Sequence, residues 1–364
     1  MTRRRWVAAL LASSILVAAC SSGGGSASST SGSVPVATSS PASTPDSSSS
    51  TVPGTDTPGT ATVDTVYSGP VYPLTGLPAT DAAAAARPAL VVKIDNNALA
   101  RPQSGLDEAD IVFEEIVEVQ TRFAAVFQSH GADPVGPIRS GRTQDIALLG
   151  SFHKPLFAWS GGNSNVTKAI ASSDLVNLSA QKLTVYQGGG FFRSNDRSSP
   201  HNLYASTSKL WSLAPAGSSP PPQQFHYRAP GDTVAGQPAS GVTGDMDGLR
   251  VDWTWDATSG LYSRRSGGAV HSDALSGPVT TDNVVVMEVA YKPSPADARS
   301  PEAQTIGSGT ALVFSGGAVV QGTWTRHDRF SPVVLTDASG ATIQLTPGRT
   351  WIELARAGTF SAVS

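Results

Sequence analysis

Leu90-Val91-Val92-Lys93-Ile94-Asp95 is a short apolar run that stops at the turn-prone triplet Asp95-Asn96-Asn97. A short apolar run bounded by turn residues reads as a buried strand. Downstream, Ile111 to Val117 reads as a second strand and Arg122 to Gln128 as a third. Only Glu118 to Thr121 separates them, which predicts an antiparallel hairpin. Gly136-Pro137 then breaks the chain, and Thr143 is placed to cap a helix running to about Phe152, with Ile146, Leu149 and Phe152 at helical spacing. Leu156 to Trp159 reads as a strand, and Asn163 to Ser172 and Ser206 to Leu213 as helices. Strands mixed with helices predict a sheet covered by helices.

Past the Pro/Ser/Gly break at Ala214 to Pro222, the texture turns to β. Leu249, Val251, Trp253 and Trp255 alternate with Arg250, Asp252 and Thr254, the period of a half-buried strand. Further strands are predicted at Asn283 to Tyr291, Ala311 to Phe314, Ala318 to Trp324, Val333 to Thr336, Ala341 to Leu345 and Thr350 to Leu354. The expected class is α+β. A mixed α/β domain spans 67–228, a linker 229–244, and a β-rich domain 245–364.

The first 66 residues have another character. Arg3, Arg4 and Arg5 precede an apolar stretch from Trp6 to Ala19, and Val17-Ala18-Ala19-Cys20 closes it. The stretch is too short to span a hydrocarbon core about 30 Å thick, so it reads as a removable signal. Small residues before Cys20, the only cysteine of 364 residues, fit a lipoprotein signal ending at a lipidated Cys20. Residues 21–66 are Ser, Thr, Pro, Gly and Ala with almost no large apolar side chain, so they are expected to form a disordered tether. A flexible linker of that length reaches on the order of 35–40 Å. The expected location is therefore the extracytoplasmic face of the cell membrane. Loss of the signal leaves 22 basic residues against 28 acidic ones, a charge near −6. That balance argues against nucleic acid as a partner, since such binding needs a basic stripe. Peptidoglycan or an envelope protein is the more natural counterpart. With Cys20 acylated, disulfides and thiolate chemistry are excluded.

Longer motifs carry a resemblance. Val91-Val92-Lys93-Ile94-Asp95-Asn96, Ala100-Arg101-Pro102-Gln103-Ser104-Gly105-Leu106 and Glu108-Ala109-Asp110 resemble the opening signature of the YerB-like lipoproteins. Thr121-Arg122-Phe123, Val135-Gly136-Pro137-Ile138-Arg139-Ser140-Gly141-Arg142 and Pro200-His201-Asn202-Leu203-Tyr204 extend it. Gly307-Ser308-Gly309, Gly322-Thr323-Trp324 and Leu345-Thr346-Pro347-Gly348-Arg349-Thr350-Trp351 resemble that family's C-terminal domain. Where the family often has glycines before Thr-Arg, this chain has Glu118-Val119-Gln120, so the resemblance does not fix that turn's shape. It implies a two-domain envelope lipoprotein and brings no reaction.

Arginines are the most suggestive candidates for chemistry. Arg101, Arg122, Arg139, Arg142, Arg193 and Arg197 fall in loops or at strand ends, in a chain with six lysines. A guanidinium fork binds carboxylate or phosphate bidentately. Ser140 and Gly141 between Arg139 and Arg142 would form an anion-binding corner beside the helix starting near Thr143. Two readings stand: an anion-binding cleft of Arg101, Arg122, Arg139, Ser140, Arg142, Arg197, His201 and Asn202, or a structural network pairing the arginines with Asp95, Asp110, Asp145 or Asp196. Among the acids, Glu114 and Glu118 on one strand face lie about 13 Å apart, too far for a glycosidase pair. Glu115 points to the apolar face and needs a partner, for which Arg122 is the candidate. Gly188-Gly189-Gly190 lacks the Lys-Ser/Thr of a phosphate-binding loop and reads as a mobile lip. No metal-ligand spacing occurs among the six histidines, and no cofactor is implied. Trp253, Trp255, Trp324 and Trp351 read as core rather than as a glycan platform. The resulting expectation is non-catalytic binding of an anionic envelope component or wall partner. The alternative is an envelope hydrolase that assembles Glu114, Glu118, Asp95 or His201.

Overall fold

The computed structural model describes residues 69–229 and 231–364. Cys20, the signal and the tether lie outside the described residues. The α+β class holds: helices cover one end of a mixed sheet, and the second half is mostly β.

Strand β1 (Leu90–Asp95) is buried at all six positions. Leu90, Val92 and Ile94 enter one core, while Val91 enters the core on the opposite face. The continuous apolar run of the sequence follows from a sheet covered on both sides. β2 (Ile111–Val117) and β3 (Gln120–Phe127) form the expected hairpin, with Val117 opposite Gln120. β1 pairs antiparallel with β3, in a register that sets Asp95 beside Arg122. β4 (Leu156–Trp159) and β5 (Val176–Ser179) continue this side in parallel.

The second half supplies β6 (Gly241–Met246), β7 (Leu249–Asp256), β8 (Leu261–Ser266), β9 (Asn283–Glu288), β10 (Tyr291–Ser294), β11 (Asp297–Ala303), β12 (Gly307–Ser315), β13 (Ala318–Arg326), β14 (Val334–Asp337), β15 (Thr350–Ala355) and β16 (Phe360–Val363). The large sheet runs β14-β13-β12-β9-β15-β2-β3-β1-β4-β5, so both halves build it. β15 lies between β9 and β2 and is parallel to each. Paired to β15, the apolar β2 edge is not left as an open template. A smaller sheet, containing β8-β7-β6-β16, contributes Val251, Trp253, Tyr262 and Phe360 to the core that holds Leu90 and Val92. β6 begins inside the stretch read as a linker.

α1 (Gln144–Leu148) continues as a 3-10 turn to Phe152 and covers the other face with α2 (Ser164–Ala171), through Leu148, Leu149, Phe152, Val166 and Ile170. Several expectations need correction. Thr143 has helical backbone angles and gives no side-chain cap; its hydroxyl meets Ser294 and Glu302 instead. Asn163 caps α2 by accepting from the Val166 amide. Residues 341–345 make isolated bridges rather than a strand. Gly188 and Gly189 close a helix (Leu183–Gly188) against Leu213 and Leu210, so they form no lip. Trp253, Trp324 and Trp351 are core, as expected, while Trp255 is only partly buried.

Candidate functional site

Two charged networks are sealed in the core. Lys93, in the middle of the apolar run, sits 2.5 Å from Glu115 and 2.7 Å from Asp145, and none of the three side chains is exposed. Glu115 therefore pairs with Lys93, not with Arg122, although Arg122 is its cross-strand neighbour. β1 brings Lys93 beneath α1, while Arg122 turns to the Ser140 carbonyl at 2.9 Å. Burial, with Asp145 alongside, raises the Glu115 carboxyl to about 7 despite Lys93.

In the second network Arg264 on β8 bonds Glu114 on β2, and Glu353 on β15 lies 4.0 Å away. Glu114 also accepts from Thr121 at 2.6 Å and Asn96 at 3.1 Å. The Arg264 guanidinium packs against the Trp351, Trp253 and Phe123 rings, 4.9, 5.5 and 5.7 Å from their centroids. Burial and the neighbouring Glu114 push the Glu353 carboxyl well above the usual range. Glu114 is thus held in the interior, away from Glu118.

The arginine-rich loops surround the carboxyl end of β1. Asp95 is fully buried, with Arg139 Nε at 3.0 Å, His201 Nδ1 at 2.7 Å and the Asn97 amide at 3.0 Å. Arg101 donates to the Asn96 side chain and carbonyl at 3.0 and 3.2 Å. Arg197 donates to the carbonyls of Ala100 and Pro102. Asn202 donates to the carbonyls of Ser194 and Arg197 and accepts from Arg193. Arg101, Arg197 and Asn202 thereby tie loops together.

Arg122, Arg139 and Arg142 form a separate corner. Arg122 is 4% exposed. Burial, followed by the neighbouring Arg142 and Arg139 charges, lowers its guanidinium to about 10 against the opposing pull of Glu118 and Asp95. Arg142 grips both Glu118 oxygens at 2.7 Å. Against its own partial burial, Glu118 is held below the usual carboxylate range by those contacts. Nε of Arg122 and Nε of Arg142 are buried donors with no acceptor. The α1 terminus does not serve this corner, because the Asp145 carboxylate already takes the Arg142 amide at 2.6 Å.

A cleft of about 340 Å³ opens beside Ser140 and Arg142. Ser160, Gly161 and Gly162 lead into the first turn of α2 along one wall. Gly161 has φ +121°, and a Cβ there would strike the Gln181 side chain at 2.3 Å, so the loop needs glycine. Ser294, Asp297 and Ser300 from the β10–β11 hairpin form the opposite wall. No sequence signal marked this hairpin, because its nearness to Arg142 arises only from the fold. Of the expected cleft residues only Ser140 and Arg142 line it; Arg101, Arg122, Arg139, Arg197, His201 and Asn202 do not.

A larger groove of about 1070 Å³ runs past Phe225, His226, Arg326, Pro332 and Val333. Its arginine is already bonded to the carbonyls of Ser331 and Arg329 at 2.8 and 2.6 Å. Among the described residues no three His, Asp or Glu side chains converge as a metal site, and no helix is long and apolar enough to cross a membrane.

Comparison with known proteins agrees with this architecture. Residues 74–219 match the profile "Protein of unknown function (DUF3048) N-terminal domain", and residues 243–352 match the corresponding C-terminal domain. The chain is 30% identical over 300 residues to the Bacillus subtilis (strain 168) protein named "Putative lipoprotein YerB", covering 78% of this chain and 85% of that protein. The crystal structure of YerB from Bacillus subtilis superposes with a TM-score of 0.71 at 26% identity, covering 81% of this chain and 99% of that one. The chain belongs to the YerB-like family of two-domain DUF3048 proteins.

Proposed function

We propose that this protein is held at the outer face of the cell membrane through lipidated Cys20, and that its folded body binds an anionic envelope component without turning it over. The name of the Bacillus relative and the Val17-Ala18-Ala19-Cys20 signal support the anchor. The observation that carries the binding reading is the Arg122, Arg139 and Arg142 corner. Three guanidiniums repel one another there, and two buried Nε donors lack acceptors. An arriving carboxylate or phosphate at Arg142 brings a negative charge beside the three guanidiniums. Ser140, Arg142 and the start of α2 at the cleft give it a place to sit. Arg101, Arg197, His201 and Asn202 hold the surrounding loops in shape.

The hydrolase reading retains one observation, the 2.7 Å contact between Asp95 and His201 Nδ1, which orients the ring. Arg139 shares that same carboxylate oxygen, and Glu114 is sealed in the core.

Co-sedimentation of the protein with purified wall sacculi tests the proposal. Arg142→Ala is expected to lower binding at least tenfold with little loss of stability, because its partner Glu118 is partly exposed and such pairs contribute about 0–1 kcal/mol. Arg139→Ala is expected to lower binding too, with a stability cost on the order of 1–2 kcal/mol from buried Asp95. An Arg142→Ala protein that sediments like the wild type, or sacculi that dissolve across pH 5–8, would count against it.

A further inference from the structure

The buried acid Glu115 has a donor against each of its oxygens. The Lys93 ammonium lies 2.5 Å from Oε1, and the Gln144 side-chain amide donates to Oε2. The orientation of that amide is fixed from its other end. Gln144 Oε1 accepts the Ala303 backbone N–H at 2.8 Å, and a backbone N–H can only donate, so Nε2 must face the carboxylate. Ala303 ends β11, the second strand of the hairpin that walls the cleft through Ser294, Asp297 and Ser300. Glu115 therefore orients Gln144, and Gln144 holds the end of the hairpin.

This arrangement suits the carboxylate and not the neutral acid. A carboxylate accepts at both oxygens, whereas the acid carries an O–H that needs an acceptor of its own. On Oε1 that hydrogen would meet the Lys93 ammonium, which Asp145 holds in place at 2.7 Å. On Oε2 it meets a neutral amide, which can turn over. The proton therefore belongs on Oε2. The other groups around Glu115 are already engaged. Asp145 accepts from Lys93 and from the Arg142 amide, and Arg122 on β3 turns to the Ser140 carbonyl. Tyr291 on β10 accepts from the Ile116 amide and donates to the Leu354 carbonyl, while Glu302 on β11 accepts from Thr143. Once Gln144 turns its Oε1 to the acid, its Nε2 faces the Ala303 N–H, donor against donor, and that bond is lost.

We infer that Glu115 and Gln144 form a pH-sensitive latch: protonation of Glu115 turns the Gln144 amide over and frees the end of β11, loosening the cleft wall that carries Asp297 and Ser300. Thr143 still meets Ser294, and Asn165 on α2 still donates to the Ala296 carbonyl, so the hairpin stays attached. Burial, with Asp145 alongside, raises the Glu115 carboxyl to about 7, which sets the latch closed above neutral pH and open below it. Global stability moves the other way, because the folded protein takes up a proton at this group on acidification. Release of the hairpin needs no ligand. Only its effect on binding rests on the proposed corner being the site.

The test is hydrogen exchange at the Ala303 amide of the unliganded full chain at pH 5.5 and pH 8, corrected for the intrinsic exchange rates. Protection there is expected to be at least fivefold lower at pH 5.5, while the core amides of β1 keep or gain protection over the same range. Gln144→Leu is expected to bring Ala303 to the low level at both pH values. Glu115→Gln is expected to do the same, because its amide sets a donor against Gln144 whatever the pH. Equal protection of Ala303 in the wild type at both pH values overturns the inference, and so does a Gln144→Leu or Glu115→Gln protein that keeps the wild-type response. A latch that behaves as expected in a protein that binds no wall fragments at either pH leaves the inference standing and counts against the corner as a binding site.

Discussion

Replacing Arg264 with alanine is expected to cost the protein about 3–5 kcal/mol, enough to unfold it or leave it marginal. Arg264 has no exposure, and it reaches from the smaller sheet to Glu114 in the large one. Its removal leaves the Glu114 carboxylate in the interior without its cation, still bonded by Asn96 and Thr121. The neighbouring Glu353, driven toward its neutral form by burial and by Glu114, brings no positive charge in its place. The loss also strips a cation from three aromatic faces. Arg264→Met combined with Glu114→Gln removes both charges and should recover most of the stability, because a buried pair replaced as a whole is often nearly neutral. Urea unfolding checks both. If the single variant unfolds within about 1 kcal/mol of the wild type, the network is not what joins the sheets.

Lys93→Met is the second large effect, again about 3–5 kcal/mol at neutral pH. It leaves Glu115 and Asp145 buried without their cation. The pH dependence fixes the sign. Glu115 is raised from 4.5 to about 7 in the folded protein, so folding takes up a proton between those values. Stability from this group is present at acid pH and falls as pH rises through about 7. Glu115→Gln should therefore flatten the difference in urea midpoint between pH 5 and pH 8. Lys93→Met should steepen it, since the lysine is what opposes the rise. Equal slopes in the wild type, Glu115→Gln and Lys93→Met would show that Glu115 is not the titrating group.

The local elements were legible because their signals are local. The run from Leu90 to Ile94, the close spacing of Val117 and Arg122, and Asn163 ahead of Val166 and Ile170 each specify an element by periodicity or turn chemistry. What could not be read was pairing between distant segments. Thr350 to Leu354 reads as a strand, but nothing in it says that it will lie between β9 and β2, since parallel pairing has no turn to declare it. The same reason hid the cleft. The arginines announced themselves, whereas Asp297 and Ser300 became neighbours of Arg142 only through the fold. Thr143 misled because capping is a matter of backbone angle as well as residue type, and here Asp145 takes over the end of the helix. Lys93 is the one clue left unused in the sequence. A lysine inside an otherwise apolar strand demands a buried acid, and Glu115 was the acid in need of a partner.

Hydrogen exchange of the full chain, with and without wall fragments, tests the central claim most directly. Bound fragments should slow exchange in two separate stretches, residues 138–145 around Arg139 and Arg142 and residues 294–300 of the facing hairpin, with the Arg142→Ala protein showing neither change. Protection confined to the other groove, at residues 223–226 and 331–334, or a wild-type pattern untouched by the fragments, would contradict it.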